Sequence, residues 1–165
     1  MNKVKIKLNG GIMPKKATKG AAAFDLYVPE DVALKNGRQI IDMKFSLELP
    51  HGYAATIQPR SGFSAKGLEA TKVFVDGSFS ADAESGVRVD GDVIRGLVDE
   101  AYRGSVGVIV KASIKGHPYE KMVVKKGTRI AQMQIVEVPQ VELIEVEELS
   151  ETDRGEGGFG HTGAR

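Results

Sequence analysis

The chain has 165 residues, 41% hydrophobic and 27% charged, with a formal net charge of +1. That length suits one domain with a core of its own, and the near-neutral balance removes the global electrostatic case for a nucleic-acid or anionic-membrane partner. Cysteine is absent, which excludes disulfides, thiolate zinc and a cysteine nucleophile, and His51, His117 and His161 lie too far apart for a metal-ligand motif. No run approaches the ~18 apolar residues of a membrane span, and the start MNKVKIKLNG lacks the apolar centre of a signal peptide. A soluble, cytoplasmic protein is expected.

In chain order, Val4, Ile6 and Leu8 alternate with Lys3, Lys5 and Lys7, the period of a half-buried strand, which Gly10 and Gly11 end. AAAFDLYVPED then sets Asp25 between apolar neighbours, where a buried carboxylate needs partners. RQIIDMKFSLELPHG and YAATIQP read as further strands. PRSGFSAKG places Arg60 and Ser61 after a strand and at the start of a short helix, expected around Ser61 to Leu68. Backbone N–H groups, a hydroxyl and a guanidinium converging there suit an anion, although an ordinary capped helix start carries the same residues.

The next stretch, Thr71 to Asp92, has two alternating runs, Val73 with Val75 and Val87 with Val89, around a polar middle, as a hairpin arm does. Its acids Asp76, Asp82, Glu84, Asp90 and Asp92 match no calcium-loop spacing and read as a solvated arm. GLVDEAYRGSVGVIV sets Asp99 at a strand end, with Tyr102 three residues on and Gly104 closing the turn. An aspartate ionised at neutral pH can deprotonate a water; a turn aspartate and a core tyrosine fit the same stretch. EKMVVKKGTRIAQMQIVEVP and QVELIEVEEL read as strands, with Arg129 and Gln132 beside a glycine turn in the first. The chain closes on RGEGGFGHTGAR, which fits either a loose end or a loop that orders around a ligand. Short strands with no long stretch of period 3.6 argue for an all-β sandwich, barrel or jelly roll.

Taken in order, the stretches around Asp25, Arg60, Asp99, Gln132 and Arg154 resemble the five motifs of the trimeric dUTPase family over nearly the whole chain. The tail is the most specific: the family pattern is Arg-Gly-x-x-Gly-Phe-Gly-Ser-Thr-Gly, and here only His161 replaces the serine. The resemblance implies a distorted jelly roll over residues 1–150, with a hairpin-like insertion at about 71–92, and a flexible glycine-rich lid at 151–165. It implies a homotrimer with shared sites, splitting dUTP into dUMP and pyrophosphate with Mg2+ on the triphosphate. That activity limits uracil in DNA and supplies dUMP for thymidylate synthesis.

The same resemblance assigns roles. Asp99 is the general base for a water attacking the α-phosphorus. Arg60, Ser61, Gly62 and Gln132 contact the phosphates, while Arg129 serves either them or the framework. Val98 and Tyr102 belong to the base and sugar pocket, which refuses a 5-methyl group by shape. Asp25 supports the site. Arg154, Gly160, His161 and Thr162 reach the phosphates from the lid and Phe159 covers the uracil. Magnesium is held mainly by phosphate oxygens and water, with no direct protein ligand.

Departures from the family pattern are Ala23 for glycine, Ala101 for an acidic residue, His161, and a longer interval between Phe63 and Arg95. A dCTP deaminase, the nearest rival, needs a glutamate about ten residues beyond Asp99, where VGVIVKAS has none. A regulatory binding protein, using the arm as its partner surface, is the rival from another class. A ring nitrogen of His161 can donate where serine would, so His161→Ser is expected to leave turnover, read as pyrophosphate release, within about tenfold.

Overall fold

The computed structural model describes residues 3–74, 86–114 and 120–157. Twelve strands and one short helix alternate along these segments: β1 Lys5–Leu8, β2 Phe24–Tyr27, β3 Val32–Ala33, β4 Gly37–Asp42, β5 Phe45–Glu48, β6 Tyr53–Gln58, α1 Ser61–Lys66, β7 Leu68–Phe74, β8 Val87–Ile94, β9 Gly96–Val98, β10 Gly107–Ser113, β11 Glu120–Val124 and β12 Arg129–Glu137. The all-β jelly-roll expectation holds, with the helix two residues shorter than the sequence suggests because Leu68 already starts β7.

Three sheets carry the fold: a β1-β5 pair, a six-stranded sheet in the order β3-β11-β7-β8-β10-β4, and a four-stranded sheet in the order β2-β12-β6-β9. Every pairing in them is antiparallel. Alternation decides which faces meet. In β10, Val108, Val110 and Ala112 are buried while Lys111 and Ser113 face out, as a period-two strand on one core requires. Leu26, Val28, Phe45, Ile57, Val106, Val124 and Ile130 complete a single buried cluster. Phe63 locks α1 onto it, and the helix ends at Gly67, whose N–H donates to the Phe63 carbonyl.

The flanks of the arm are β7 and β8, paired from Leu68↔Val89 to Ala70↔Val87; beyond that β7 turns to β11, with Thr71 facing Val123. Residues 75–85 lie outside the described segments.

One expected strand is missing. Residues 138–150, containing QVELIEVEEL, form no ladder and are exposed throughout, with Leu143 95% and Leu149 87% accessible. A strand exists only where another strand satisfies its backbone groups, and no sheet edge among the described residues receives this segment.

At Gly91 an added Cβ would collide with the Lys111 carbonyl oxygen across the β8–β10 ladder. Gly91→Ala is therefore expected to cost about 1–3 kcal/mol of stability, read as a lower midpoint in denaturant unfolding at fixed protein concentration.

Candidate active site

The four-stranded sheet builds two separate clusters. In the first, β12 runs between β2 and β6, so that Gln132 faces Asp25 on one side and Gln58 on the other. Asp25 is the one buried charged residue among the described residues, 7% exposed. A carboxylate taken out of water needs cations, and two strand ends deliver them. Arg60, just past β6, donates from Nε to Oδ1 at 2.8 Å; Arg129, at the start of β12, approaches Oδ2 at 3.5 Å. A register shift in the β12–β2 ladder between Arg129 and Ala131 accompanies that approach. Gln132 donates from Nε2 to the Pro59 carbonyl at 2.9 Å and so holds the bend that leads into Arg60, Ser61 and Gly62. Ser61 and Gly62 begin α1 and are exposed.

Beside this cluster opens a cavity of about 540 Å³ lined by Arg60, Lys66, Arg88, Lys126 and Arg129, with Glu69 as its acidic residue. Glu69 is engaged by Arg88 at 3.1 Å. The surplus of positive charge suits phosphate oxygens.

The second cluster forms around β9. A cavity of about 200 Å³ is lined by Ile57, Leu97, Val98, Asp99, Tyr102 and Ile109, among others. Asp99 is exposed there, with no side-chain partner among the described residues. The Tyr102 N–H closes a turn on the Asp99 carbonyl at 3.1 Å. Glu100, the next residue, staples this turn to the β5–β6 connection: its carboxylate accepts the Gly52 N–H at 2.8 Å and lies 3.2 Å from His51 Nδ1. The Gly52 N–H first, then His51, hold the Glu100 carboxyl below its ordinary range. The Tyr102 hydroxyl donates to the Ser105 carbonyl at 3.0 Å, and the ring lies where a Cβ on residue 104 would sit, so a side chain there would have to displace the ring.

Asp99 and Arg60 stand toward opposite ends of β6. Val98 faces Ala55 and Gly96 faces Ile57, so Asp99 leaves β9 toward Ala54, while Arg60 follows the other end of the same strand. Six residues of extended chain separate Ala54 from Arg60, roughly 20 Å at the rise of a strand. Asp25, Arg60, Arg129 and Gln132 thus gather with Ser61 and Gly62; Val98, Asp99 and Tyr102 gather elsewhere. Arg154 joins neither group and donates to the Gly157 carbonyl in its own turn at 2.8 Å. Phe159, Gly160, His161 and Thr162 lie outside the described residues.

Sequence reasoning missed Glu100 and the cavity cations Lys66, Arg88 and Lys126. A cluster of basic residues flanking PRSG and KKGTR was the available signal for the cations; nothing local marks Glu100, whose partners are 48 and 49 residues away.

A dUTPase family model matches residues 9–89 and 79–163. The chain belongs to the dUTPase family. It is 40% identical over 164 residues to the deoxyuridine 5'-triphosphate nucleotidohydrolase of Nautilia profundicola, covering 98% of this chain and 99% of that one. The Monkeypox virus protein of the same name is 36% identical over 153 residues, covering 92% and 83%. Among solved structures, Staphylococcus bacteriophage 80alpha dUTPase with dUPNHPP shares the fold with a TM-score of 0.76, at 24% identity and 99% coverage of both chains. A dUTPase of phage phi11 of S. aureus, whose structure describes the coordination of a structural Mg(II) ion, has a TM-score of 0.67 at 21% identity, covering 89% of this chain and 98% of that one.

In this dUTPase, removing the carboxylate between Arg60 and Arg129 leaves two guanidinium groups facing each other. With Arg129 half exposed, Asp25→Ala is expected to cost about 2–3 kcal/mol, below the cost of breaking a fully buried pair, read by denaturant unfolding against Asp99→Ala as a control of similar size.

Proposed function

We propose that this chain is a dUTP diphosphatase, releasing dUMP and pyrophosphate, and that each active site is assembled from more than one chain of a homotrimer. The observation that carries the shared site is the separation along β6. A base must stand within hydrogen-bond reach of the water it deprotonates, and a triphosphate held at Arg60 and Ser61 is roughly 20 Å from the Asp99 of the same chain. A second copy brings the phosphate cluster to the smaller cavity. The accessible Val141, Leu143, Ile144 and Leu149 support a third contribution: an arm that crosses to a neighbour, gains the strand partner it lacks, and carries residues 151–165 as a lid over that neighbour's site.

In this assembly β9 reads the base. It is the edge strand of its sheet, so its outward N–H and C=O groups are free to pair with the alternating acceptors and donor of uracil, much as an added strand would. Ile57, Leu97 and Ile109 shape the cavity, and Tyr102 packs under the deoxyribose. Asp99 takes a proton from the attacking water, and the α-phosphorus–oxygen bond to pyrophosphate breaks in line with that attack. Such a base is worth about 100- to 10,000-fold. The rest comes from holding the phosphates still and neutralising them, the work of Arg60, Ser61, Gly62 and Gln132, with Asp25 fixing the Arg60 head. From the lid, Arg154, Gly160, His161 and Thr162 meet the terminal phosphates and Phe159 covers the uracil.

Magnesium fits this donor set in one way. Both Asp25 oxygens face guanidinium groups, and no cluster of three or more His, Cys, Asp or Glu stands among the described residues. The ion would therefore be held through triphosphate oxygens and water, with the cluster around Arg60 enclosing it, and would supply charge neutralisation. None of the helices among the described residues is long and apolar enough to cross a membrane.

Asp99→Asn is expected to lower dUTP turnover, followed as pyrophosphate release across a nucleotide panel, by at least about 100-fold. Mixing Asp99→Asn chains with chains lacking residues 151–165 is expected to restore part of the activity, because a mixed trimer holds sites with an intact base and an intact lid. Sites confined to one chain would stay dead in the mixture.

A further inference from the structure

The smaller cavity has two walls. One is β9. The other is the irregular stretch from Tyr102 through Ser105 and Val106 to Gly107, all lining residues. The distance between the walls decides whether a ring with a 5-methyl group enters; Gly107 is held in the β10–β4 ladder opposite Asp42, and the residues before it need another support. Its inner end is tied by backbone: the Val106 N–H donates to the Phe45 carbonyl at 2.8 Å, and the Met43 N–H to the Val106 carbonyl at 2.9 Å. Ser105, one residue nearer Tyr102, is tied by its side chain, and its carbonyl is what the Tyr102 hydroxyl leans on. The Ser105 hydroxyl donates to Asp42 Oδ1 in a short contact.

Asp42 closes β4, 63 residues away, and lines neither cavity. It is nevertheless well braced. The same Oδ1 accepts the Lys44 N–H at 2.8 Å. Lys44 is the one non-glycine residue with positive φ among the described residues, at 54°, a conformation that persists only where surroundings impose it. They do: the Lys44 carbonyl accepts the N–H groups of Asn9 and Gly11 at 2.8 and 2.9 Å, and its ammonium pairs with Glu30 at 2.6 Å. The corner between β4 and β5 is a fixed post. The Ser105 hydroxyl, then the Lys44 N–H, hold the Asp42 carboxyl below its ordinary range, so at neutral pH Asp42 is an acceptor only and the Ser105 hydroxyl must donate to it.

We propose that Asp42 is a specificity-determining positioning residue: through Ser105 it sets the wall from Tyr102 to Gly107 at the spacing that admits uracil and refuses thymine. This rests on the reading of the smaller cavity as the uracil site. Asp42 touches no substrate atom. Its effect is on the discrimination between two nucleotides that differ in one methyl group.

The test is the ratio of kcat/KM for dUTP to that for dTTP, measured with thermal midpoints for wild type, Asp42→Ala, Asp42→Asn, Ser105→Ala and the Asp42→Ala, Ser105→Ala double variant. A single methyl group is discriminated about 10- to 200-fold by a closed pocket, so a loosened wall is expected to lower the ratio about tenfold in either alanine variant. The change is expected as gained dTTP turnover, with kcat on dUTP within about threefold of wild type in Asp42→Ala, since Asp42 lines neither cavity. Asp42→Asn retains an acceptor and is expected to stay near the wild-type ratio, and the double variant to fall no further than either single one, as members of one linkage do. An unchanged ratio in both alanine variants, an equal loss on both nucleotides, or additive losses in the double variant would overturn the proposal. Ser105→Ala removes one surface hydroxyl and keeps the test open if Asp42→Ala does not fold. A wild-type chain inactive on dUTP would instead overturn the functional reading on which the proposal rests.

Discussion

The pairing of β6 with β9, Val98 against Ala55, is the constraint from which the molecule's functional organisation follows. β6 is joined on its other side to β12, so one six-residue strand is flanked by the elements that carry both kinds of chemistry. As an extended strand it holds its two ends apart. Arg60, Ser61 and Gly62 follow Gln58, and the turn bearing Asp99 is delivered beside Tyr53 and Ala54. The two groups of side chains therefore stand apart along one strand of this chain.

The end of β6 that leads into Arg60 shows how a buried charge is accommodated. Asp25 sits in β2 among Phe24, Leu26 and the β12 residues that cover it, a position where an unpaired carboxylate would be costly. Its two guanidinium partners remove that cost and are in turn oriented by it, which leaves the outer faces of Arg60 and Arg129 toward a cavity already rich in positive charge. A fixed cation needs no reorganisation when a phosphate arrives. The end around Asp99 and Tyr102 is organised differently, by hydrogen-bonded links between Glu100 and Gly52 and between Ser105 and Asp42. Each ties a loop residue to the start or end of a strand in the core.

Much of this was legible in the sequence, and the limits have physical reasons. Alternation revealed β1, β4 to β6 and β10 to β12, because a half-buried strand writes its two faces into its residues. The order of the motifs singled out Asp25, Arg60, Asp99, Tyr102 and Gln132: Arg60 lines the larger cavity, Asp99 and Tyr102 line the smaller one, and Asp25 and Gln132 stand in β2 and β12 beside Arg60. Alternation misled at Val141 to Leu149: a β-like pattern states which face is apolar, and says nothing of which chain supplies the neighbouring strand. The split between two clusters was equally hidden, since register is a long-range property. Glu100 and Asp42 looked like ordinary surface acids. Their partners are brought to them by folding alone.

The edge position of β9 has one more consequence. An uncovered edge strand is a template for other strands and hence a starting point for aggregation. β9 is three residues long and carries a 64% exposed Leu97 at its centre, which keeps that hazard small without removing it. A nucleotide bound along the edge would occupy the same backbone groups that a foreign strand would seek. On the proposed reading of β9 as the base-reading edge, occupancy by substrate or product would protect the colloidal state of the protein, and a concentrated preparation would store best with its pyrimidine nucleotide present.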